Sequence, residues 1–315
     1  MQDFINYGIT VAEQVGILFI MVFAGVFISK KKMINKEGVD QMVNVLLYLV
    51  APCIIVYSFL DIQANRENIQ NLLMSLLCAF CLTVFGIIAA FIFKKTKPKE
   101  RRAVLRVGVI FSNSGFISLP IAFALLGSEG VFLASMFVVM LNISQWTYGV
   151  SLFGSEEKMQ LSKIFLNPGT IGVMIGLPLF LLSYLYKDFS LPTIVIEPVN
   201  VISKINTPLA MLITGFFLYN SNMKTGLKDK PMWLSITLRL ITVPIISLLL
   251  FKFVFNLNDT LLIAAMIPTC APSAVTTVIF ATKFGGDTDL ASRLLSVCTL
   301  CSIVTLPVFL SLAKL

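Results

Sequence analysis

Ten apolar segments, each long enough to cross a lipid bilayer, follow one another along the chain with only short connections between them. A helix needs about 20 apolar residues to span the hydrocarbon core, and backbone groups at that depth must be paired inside a helix or a closed barrel. Charged residues make up 13% of the chain, against about 25% in a soluble domain. The pattern predicts an all-α integral membrane protein with ten transmembrane spans, at 9–29, 41–60, 71–93, 103–126, 131–151, 168–186, 198–219, 232–254, 260–284 and 290–312.

Basic residues are distributed unevenly between the two ends of these spans. Most of the 24 lysines and arginines follow the odd-numbered spans, as in the clusters at 30–36 and 94–106. The opposite ends carry only Arg66, Lys187, Lys252 and Lys314. Because lysine- and arginine-rich loops stay in the cytoplasm, we expect both termini to lie outside the plasma membrane, with cytoplasmic loops at 30–40, 94–102, 153–167, 220–231 and 285–290.

The two halves of the chain share weak internal similarity. The segment "LVAPCIIVYSFL" in span two resembles "INTPLAMLITGF" in span seven, which aligns Pro52 with Pro208. "LTV" in span three and "AFALLG" in span four match "ITV" and "IFATKFG" in the second half at nearly the same offset. Five spans are an odd number, so the second copy would enter the membrane upside down, as in many secondary transporters. The predicted units are a first five-helix repeat at 1–151, a cytoplasmic linker at 152–167 and a second repeat at 168–315.

Span four is interrupted by residues that a membrane helix tolerates poorly. Its middle reads "FSNSGFISLP", with Asn113, Ser114 and Gly115 followed by Pro120. Glycine loosens a helix and proline removes a backbone donor. Irregular backbone at membrane depth survives only where protein or a water-filled cavity satisfies it. We therefore expect the helix to stop near Asn113, about halfway across the membrane.

Span nine is interrupted at the corresponding place. It reads "IPTCAPSAVTTV", with Pro272, Ser273, Thr276 and Thr277 near its middle. Paired interrupted segments in the two halves are the best sequence indication of a transporter's binding site. The free N–H groups of half-helix N-termini favour an anionic group. The two breaks are predicted to cross and to bind an anion, with Gly115 allowing their close approach.

Polar residues in two other spans have two interpretations each. Asn142, Gln145 and Gly149 share one face of span five, and they either hydrogen-bond to another helix or line a cavity behind the crossing. Arg239 lies deep in span eight, where a charged residue is costly and usually functional. It either attracts the anion or caps carbonyl groups exposed by the break in span nine.

The residue inventory excludes several classes of function. The chain has no histidine, which removes the commonest general base and metal ligand. The six cysteines lie in apolar segments and are interpreted as packing residues. No phosphate-binding loop is present, the basic residues indicate topology and not a nucleic-acid surface, and the acidic residues fall in loops or near the ends of spans. Neither an enzyme nor a metal or cofactor site is expected.

Three stretches carry a resemblance to a known family. "FSNSGFISLPIAFALLG", the span that contains Arg239, and "APSAVTTVIFATKFGGDTDLAS" resemble the auxin efflux carrier family, which includes bacterial malate and malonate permeases and plant auxin carriers. The resemblance covers essentially the whole chain. It implies ten helices in two inverted repeats with broken helices four and nine, as in the related bile-acid–sodium symporters. It also implies that Asn113 contacts a carboxylate and that Pro120 marks the crossover.

The resemblance further implies how the helices move. Helices one, two, six and seven would form a scaffold that pairs into a homodimer, and helices three to five and eight to ten would form a transport unit. The chain departs from the plant pattern in having Thr277 where those carriers have a second proline, and it lacks their long cytoplasmic loop.

We therefore expect a secondary transporter or facilitator of a small organic anion, acting by alternating access and of the elevator type. A proton or sodium ion could be coupled to it. The alternatives are an ion channel and a sodium-coupled symporter of a larger amphipathic acid.

Overall fold

The computed structural model describes residues 2–154, 165–186, 189–221 and 228–314, with side chains from Gly8 onward. Within these residues the chain forms eleven helical segments and no β-strand. The segments include π and 3₁₀ turns, a kink at Gly127 in α5 and a turn at Lys204–Ile205 in α7. They are α1 Gln2–Lys30, α2 Lys36–Asp61, α3 Arg66–Lys95, α4 Lys99–Ile110, α5 Ser114–Gly149, α6 Pro168–Leu185, α7 Thr193–Asn220, α8 Lys230–Val254, α9 Asp259–Cys270, α10 Thr276–Lys283 and α11 Thr288–Lys314.

Eight of these helices are long and apolar enough to cross a membrane. The count differs from ten because each interrupted span is divided between helices. The span expected at 260–284 consists of α9 and α10, and the span expected at 103–126 consists of α4 and the beginning of α5. The protein is thus an all-helical integral membrane protein.

A sharp kink lies between the expected spans four and five. Gly127, with a φ of 60° and a ψ of −145°, is not helical, and it joins the two helices that run on either side of it within α5. No other residue type adopts this conformation readily. The kink coincides with the boundary expected between 126 and 131, and a single glycine makes the turn without a longer loop.

Asparagine side chains begin several of the helices. Asn35, Asn65 and Asn258 each precede a helix in extended conformation, and each side-chain oxygen accepts a hydrogen bond from a backbone N–H of the first turn. Such caps stabilise a helix start by about 1 kcal/mol. The helix starts after loops are therefore encoded locally.

Helices α1 and α7 pack backbone against backbone. A Cβ atom added to Gly215 would lie 2.1 Å from the carbonyl oxygen of Val22, and one added to Gly25 would lie 2.4 Å from that of Leu212. Small residues permit such close packing in membranes, where dispersion contacts hold helices together.

Parts of two predicted cytoplasmic segments lie outside the described residues. The predicted linker 152–167 is described only at its two ends, and the predicted loop 220–231 lacks 222–227. Helix α6 begins at Pro168, which is where the sequence places the next span.

Candidate functional site

The two interrupted spans meet as a pair of short extended segments. Helix α4 ends at Ile110 and helix α9 at Cys270. Between these ends and the next helices, Ser112 and Ser273 form an antiparallel bridge. The N–H of Asn113 donates to the carbonyl of Pro272 at 2.8 Å.

A second backbone hydrogen bond completes the bridge between the two segments. The N–H of Ala274 donates to the carbonyl of Phe111 at 2.9 Å. Backbone groups released by one break are thereby satisfied by the other, as burial at membrane depth requires. The crossing expected near Asn113 and Pro272 is present.

Arg239 satisfies the carbonyl groups at the ends of α9 and α4. Its side chain is fully buried within a π turn of α8. Nε donates to the carbonyl of Ala271 at 3.1 Å, Nη1 to that of Val109 at 3.4 Å, and Nη2 to those of Pro268, at 3.3 Å, and Thr269. Of the two roles left open by the sequence, these contacts match the capping of the broken helix.

Ser273 links the two interrupted spans on the same face of the crossing. Its hydroxyl donates to the carbonyl of Gly108 at 2.7 Å, and the side chain is fully buried. Pro272 contributes a carbonyl to the bridge. Both residues hold the two breaks together and do not line the cavity described next.

A cavity of ≈ 560 Å³ lies on the opposite face of the crossing. This volume falls within the range of pockets that bind small molecules, about 300–1,000 Å³. At its deep end are buried residues of the crossing, Ser112, Asn113 and Ala274. Its walls are largely apolar and are lined by Val43, Leu47, Ile55, Phe116, Leu119, Val138, Leu141, Phe217, Val278, Ile279 and Leu295.

The helices that leave the crossing begin at this cavity. Asn113 lines it and is 4% exposed, and its side-chain oxygen accepts from the N–H of Phe116 at 3.3 Å, which caps α5. Thr276, the first residue of α10, lines the cavity as well. Two positive helix ends therefore adjoin one cavity.

Two hydroxyl groups at the deep end lack a partner. The buried oxygens Ser112 Oγ and Thr276 Oγ1 have no hydrogen-bond partner among the described residues, and both residues line the cavity. Unsatisfied buried polar groups are rare in folded proteins, and each is a candidate contact for a ligand or a water molecule. Both hydroxyls can donate to an anion.

Span five contributes both the cavity wall and a link to a neighbouring helix. Asn142 and Gln145 line the cavity and are buried. The Asn142 amide donates to the hydroxyl of Thr170 on α6 at 2.9 Å. The two interpretations of Asn142 are thus compatible.

The predicted site residues divide into two groups. Six of them line the cavity: Asn113, Ser114, Gly115, Asn142, Gln145 and Thr276. Five lie outside the lining: Pro120, Arg239, Pro272, Ser273 and Thr277. Pro120 is buried in α5 just after the π turn Ser114–Ser118, and Thr277 is buried within α10.

Gly115 does not serve the close approach expected of it. A Cβ atom built on Gly115 meets no other heavy atom within 4 Å, because the residue faces the cavity. Gly149 makes a tight contact with the crossing, since an added Cβ would come within 2.9 Å of the Phe111 ring. The expected role of Gly115 is therefore corrected.

Sequence reasoning missed the mouth of the cavity. Lys36, Asp40 and Lys283 line it and are exposed, and Asn167 and Thr282 lie there too. Lys36 belongs to the basic cluster at 30–36, and Lys283 follows an odd-numbered span. Both were interpreted only as signals of membrane orientation. Which cluster residues reach the cavity depends on how the helices pack.

Comparisons with known proteins find relatives over nearly the whole chain. The profile of the family described as "Membrane transport protein" matches residues 10–162 and 156–310. An uncharacterized transporter of Methanocaldococcus jannaschii is 22% identical over 302 residues, which cover 92% of this chain and 94% of that protein. An uncharacterized transporter of Methanothermobacter thermautotrophicus is 24% identical over 309 residues, covering 94% and 96%.

These matches span nearly the whole chain, including both interrupted segments and the cavity between them. The resemblance drawn from the residues around Asn113 and Pro272 is confirmed. The chain belongs to the membrane transport protein family of auxin efflux carriers, and it is a multi-pass membrane transporter.

Proposed function

We propose that the protein is a secondary transporter or facilitator that carries a small organic anion, a carboxylate, across the plasma membrane by alternating access. The observation that carries the proposal is the cavity at the crossing, where two helix N-termini adjoin two hydroxyls without partners among the described residues. Helix N-termini and hydroxyl donors together favour a negatively charged oxygen.

The chemistry of the cavity supports one anionic group held at its deep end. Ser112 and Thr276 would donate to the carboxylate oxygens, and Asn113 would orient the group through its amide. Charge-assisted hydrogen bonds of this kind contribute about 1.5–3 kcal/mol each. Among the described residues, no Asp or Glu lines the deep end, so no carboxylate there repels the anion.

The apolar walls favour an acid with an apolar body. Phe116, Leu119 and Leu141 line the cavity beside the crossing and offer no polar partner to a hydroxylated substrate. This observation supports the alternative of a larger amphipathic acid. A coupled proton or sodium ion would have to use amides, hydroxyls or carbonyls, because the described lining of the deep end contains no carboxylate.

The proposed mechanism is of the elevator type. In this proposal the ten spans form two inverted repeats, with both termini extracytoplasmic. Helices α1, α2, α6 and α7 form the scaffold of a homodimer, and the other helices form the transport unit. In support, the cavity lies between the two groups: Leu47 and Phe217 line it from α2 and α7, while Leu119 and Val278 line it from α5 and α10.

Transport assays test the proposal directly. Purified protein is screened against monocarboxylic and dicarboxylic acids by thermal shift, and acids that stabilise it are tested for counterflow in liposomes. Counterflow that saturates supports a transporter, whereas a conductance without saturation supports a channel.

The double variant Ser112→Ala, Thr276→Val connects the activity to the site. We expect it to fold and to bind the acid at least about tenfold more weakly, since one lost hydrogen bond to a charged group removes about 1.5 kcal/mol or more. Counterflow that is unchanged in this variant would contradict the assignment of the site.

A further inference from the structure

Three charged side chains stand at the mouth of the cavity. Lys36 and Asp40 lie on the first turns of α2, and Lys283 is the last residue of α10. All three line the cavity and are exposed, and none has an ion-pair partner among the described residues. The described residues that line the mouth therefore carry a net positive charge.

Aromatic rings surround one of the lysines. The Lys283 ammonium lies 5.2 Å from the ring centroid of Phe284 and 5.8 Å from that of Trp146. Cation–π contacts of this length favour a defined position of the ammonium group. Lys283 is thus restrained near the mouth without being neutralised by a carboxylate of the described residues.

We propose that Lys36 and Lys283 form an anion-attracting entrance, which concentrates the anionic substrate at the mouth before it reaches Asn113 at the deep end. A cleft with low-dielectric walls and charges of one sign focuses the electric field and raises the local concentration of the opposite ion. The walls here are apolar, and the described residues of the deep end include no charged side chain. The negative charge of Asp40 offsets the charge of one lysine, so the attraction of anions depends on the second lysine.

The entrance depends on the arrangement of the helices. Lys36 lies on α2 and Lys283 on α10, which belong to the scaffold and the transport unit of the proposed function. The two lysines flank one mouth only while the cavity is open on this side. The statement that the entrance forms only while the cavity is open rests on the proposed function. The attraction of anions into the cavity does not depend on that function.

The expected size of the effect follows from Coulomb's law. A lysine about 10 Å from the path of a monovalent anion, at an effective dielectric constant between about 40 and 80, changes the local anion concentration about twofold to fourfold. The screening length is about 10 Å at 0.1 M ionic strength and about 3 Å at 1 M. The attraction should therefore disappear at high salt.

A cysteine inside the cavity measures this attraction without any substrate. The six native cysteines are replaced, and Val138→Cys introduces one thiol into the cavity wall. The thiol is modified with thiosulfonate reagents that are anionic, neutral or cationic. We expect the anionic reagent to modify the thiol faster than the cationic reagent does. The ratio of the anionic to the cationic rate should fall in Lys36→Gln and in Lys283→Gln. Asp40→Asn should raise the ratio.

Lys94→Gln is the matched control. Lys94 is an exposed lysine whose ammonium lies 5.2 Å from the ring centroid of Phe91, and it does not line the cavity. An unchanged rate with the neutral reagent verifies that each variant keeps its cavity. A ratio that is unaffected by both lysine variants, that falls equally in Lys94→Gln, or that persists at 1 M salt would overturn the proposal. The modification rates do not depend on whether the protein shows counterflow. The proposed transport function and the proposed entrance can therefore fail independently of each other.

Discussion

The two faces of the crossing are built in opposite ways. On one face the C-terminal ends of α4 and α9 are packed and paired: Arg239 donates to four carbonyls and Ser273 to a fifth. On the other face the N-terminal ends of α5 and α10 adjoin a cavity, where the hydroxyls of Ser112 and Thr276 have no partner among the described residues.

The difference separates stability from binding within one structural element. Breaking a helix inside a membrane exposes carbonyls at one end and N–H groups at the other. A buried arginine neutralises the negative ends permanently, because its planar fork carries five donors. At the N-terminal ends of α5 and α10, the hydroxyls of Ser112 and Thr276 have no partner among the described residues, which is what the proposed binding and release of an anion requires. Variants on the two faces should therefore have different consequences.

The largest effect is expected on the packed face. Arg239→Gln would leave several buried carbonyls without a donor, each at a cost of about 1–3 kcal/mol, so we expect a loss of folded protein or a strongly lowered Tm. Arg239→Lys should also be destabilised, since a single ammonium cannot replace the fork. Yield, monodispersity and Tm in detergent measure this effect.

Lys204→Gln is the control for Arg239, because Lys204 is an exposed cation in the turn that divides α7. It should leave Tm unchanged. A variant Arg239→Gln that keeps its Tm and loses only anion affinity would place this arginine on the binding face and break the comparison.

The next largest effect is expected at Asn113. Asn113→Ala removes a contact of the proposed carboxylate site and should weaken binding about tenfold to a hundredfold, equivalent to about 1.5–3 kcal/mol. It also removes a helix cap, which lowers stability by only about 1 kcal/mol. Calorimetry on monodisperse protein measures the affinity.

Asn65→Ala separates the two roles of Asn113. Asn65 caps α3 through the same kind of bond, because its side-chain oxygen accepts from the N–H of Asn68 at 2.7 Å. It does not line the cavity. Its loss should lower Tm by a similar amount and leave affinity unchanged. Equal affinities in both variants would mean that Asn113 is only a cap.

The smallest effect is expected at Gly115. Because an added Cβ meets open space, Gly115→Ala should fold normally, with stability unchanged or raised by up to about 1 kcal/mol. Gly149→Ala should be destabilised instead, since its Cβ would lie 2.9 Å from the Phe111 ring. Thermal unfolding of the pair tests the assignment, and a stable Gly149→Ala beside an unstable Gly115→Ala would reverse it.

Much of the architecture could be predicted from local sequence. The apolar segments predict membrane helices because their length and composition match the bilayer. The stretches around Asn113 and Pro272 predict breaks because glycine, proline and amide side chains, close together at membrane depth, weaken a continuous helix. Four of the predicted residues that line the cavity, Asn113, Ser114, Gly115 and Thr276, follow from these breaks, since a break at membrane depth requires a partner or a cavity. The other two, Asn142 and Gln145, follow from their shared face of span five.

The sequence by itself determined that this chain is a membrane protein with two matched interruptions, because helix length and helix breaking depend on residues that are neighbours along the chain. Only the tertiary structure decided which face of the crossing is packed and which is open. The distinction depends on Arg239, which is about 30 residues from the carbonyls of α9 and 130 from that of Val109. It also decided that Gly115 faces the cavity and that Lys36 and Lys283 reach its mouth, because these relations depend on contacts between helices that are distant in the chain.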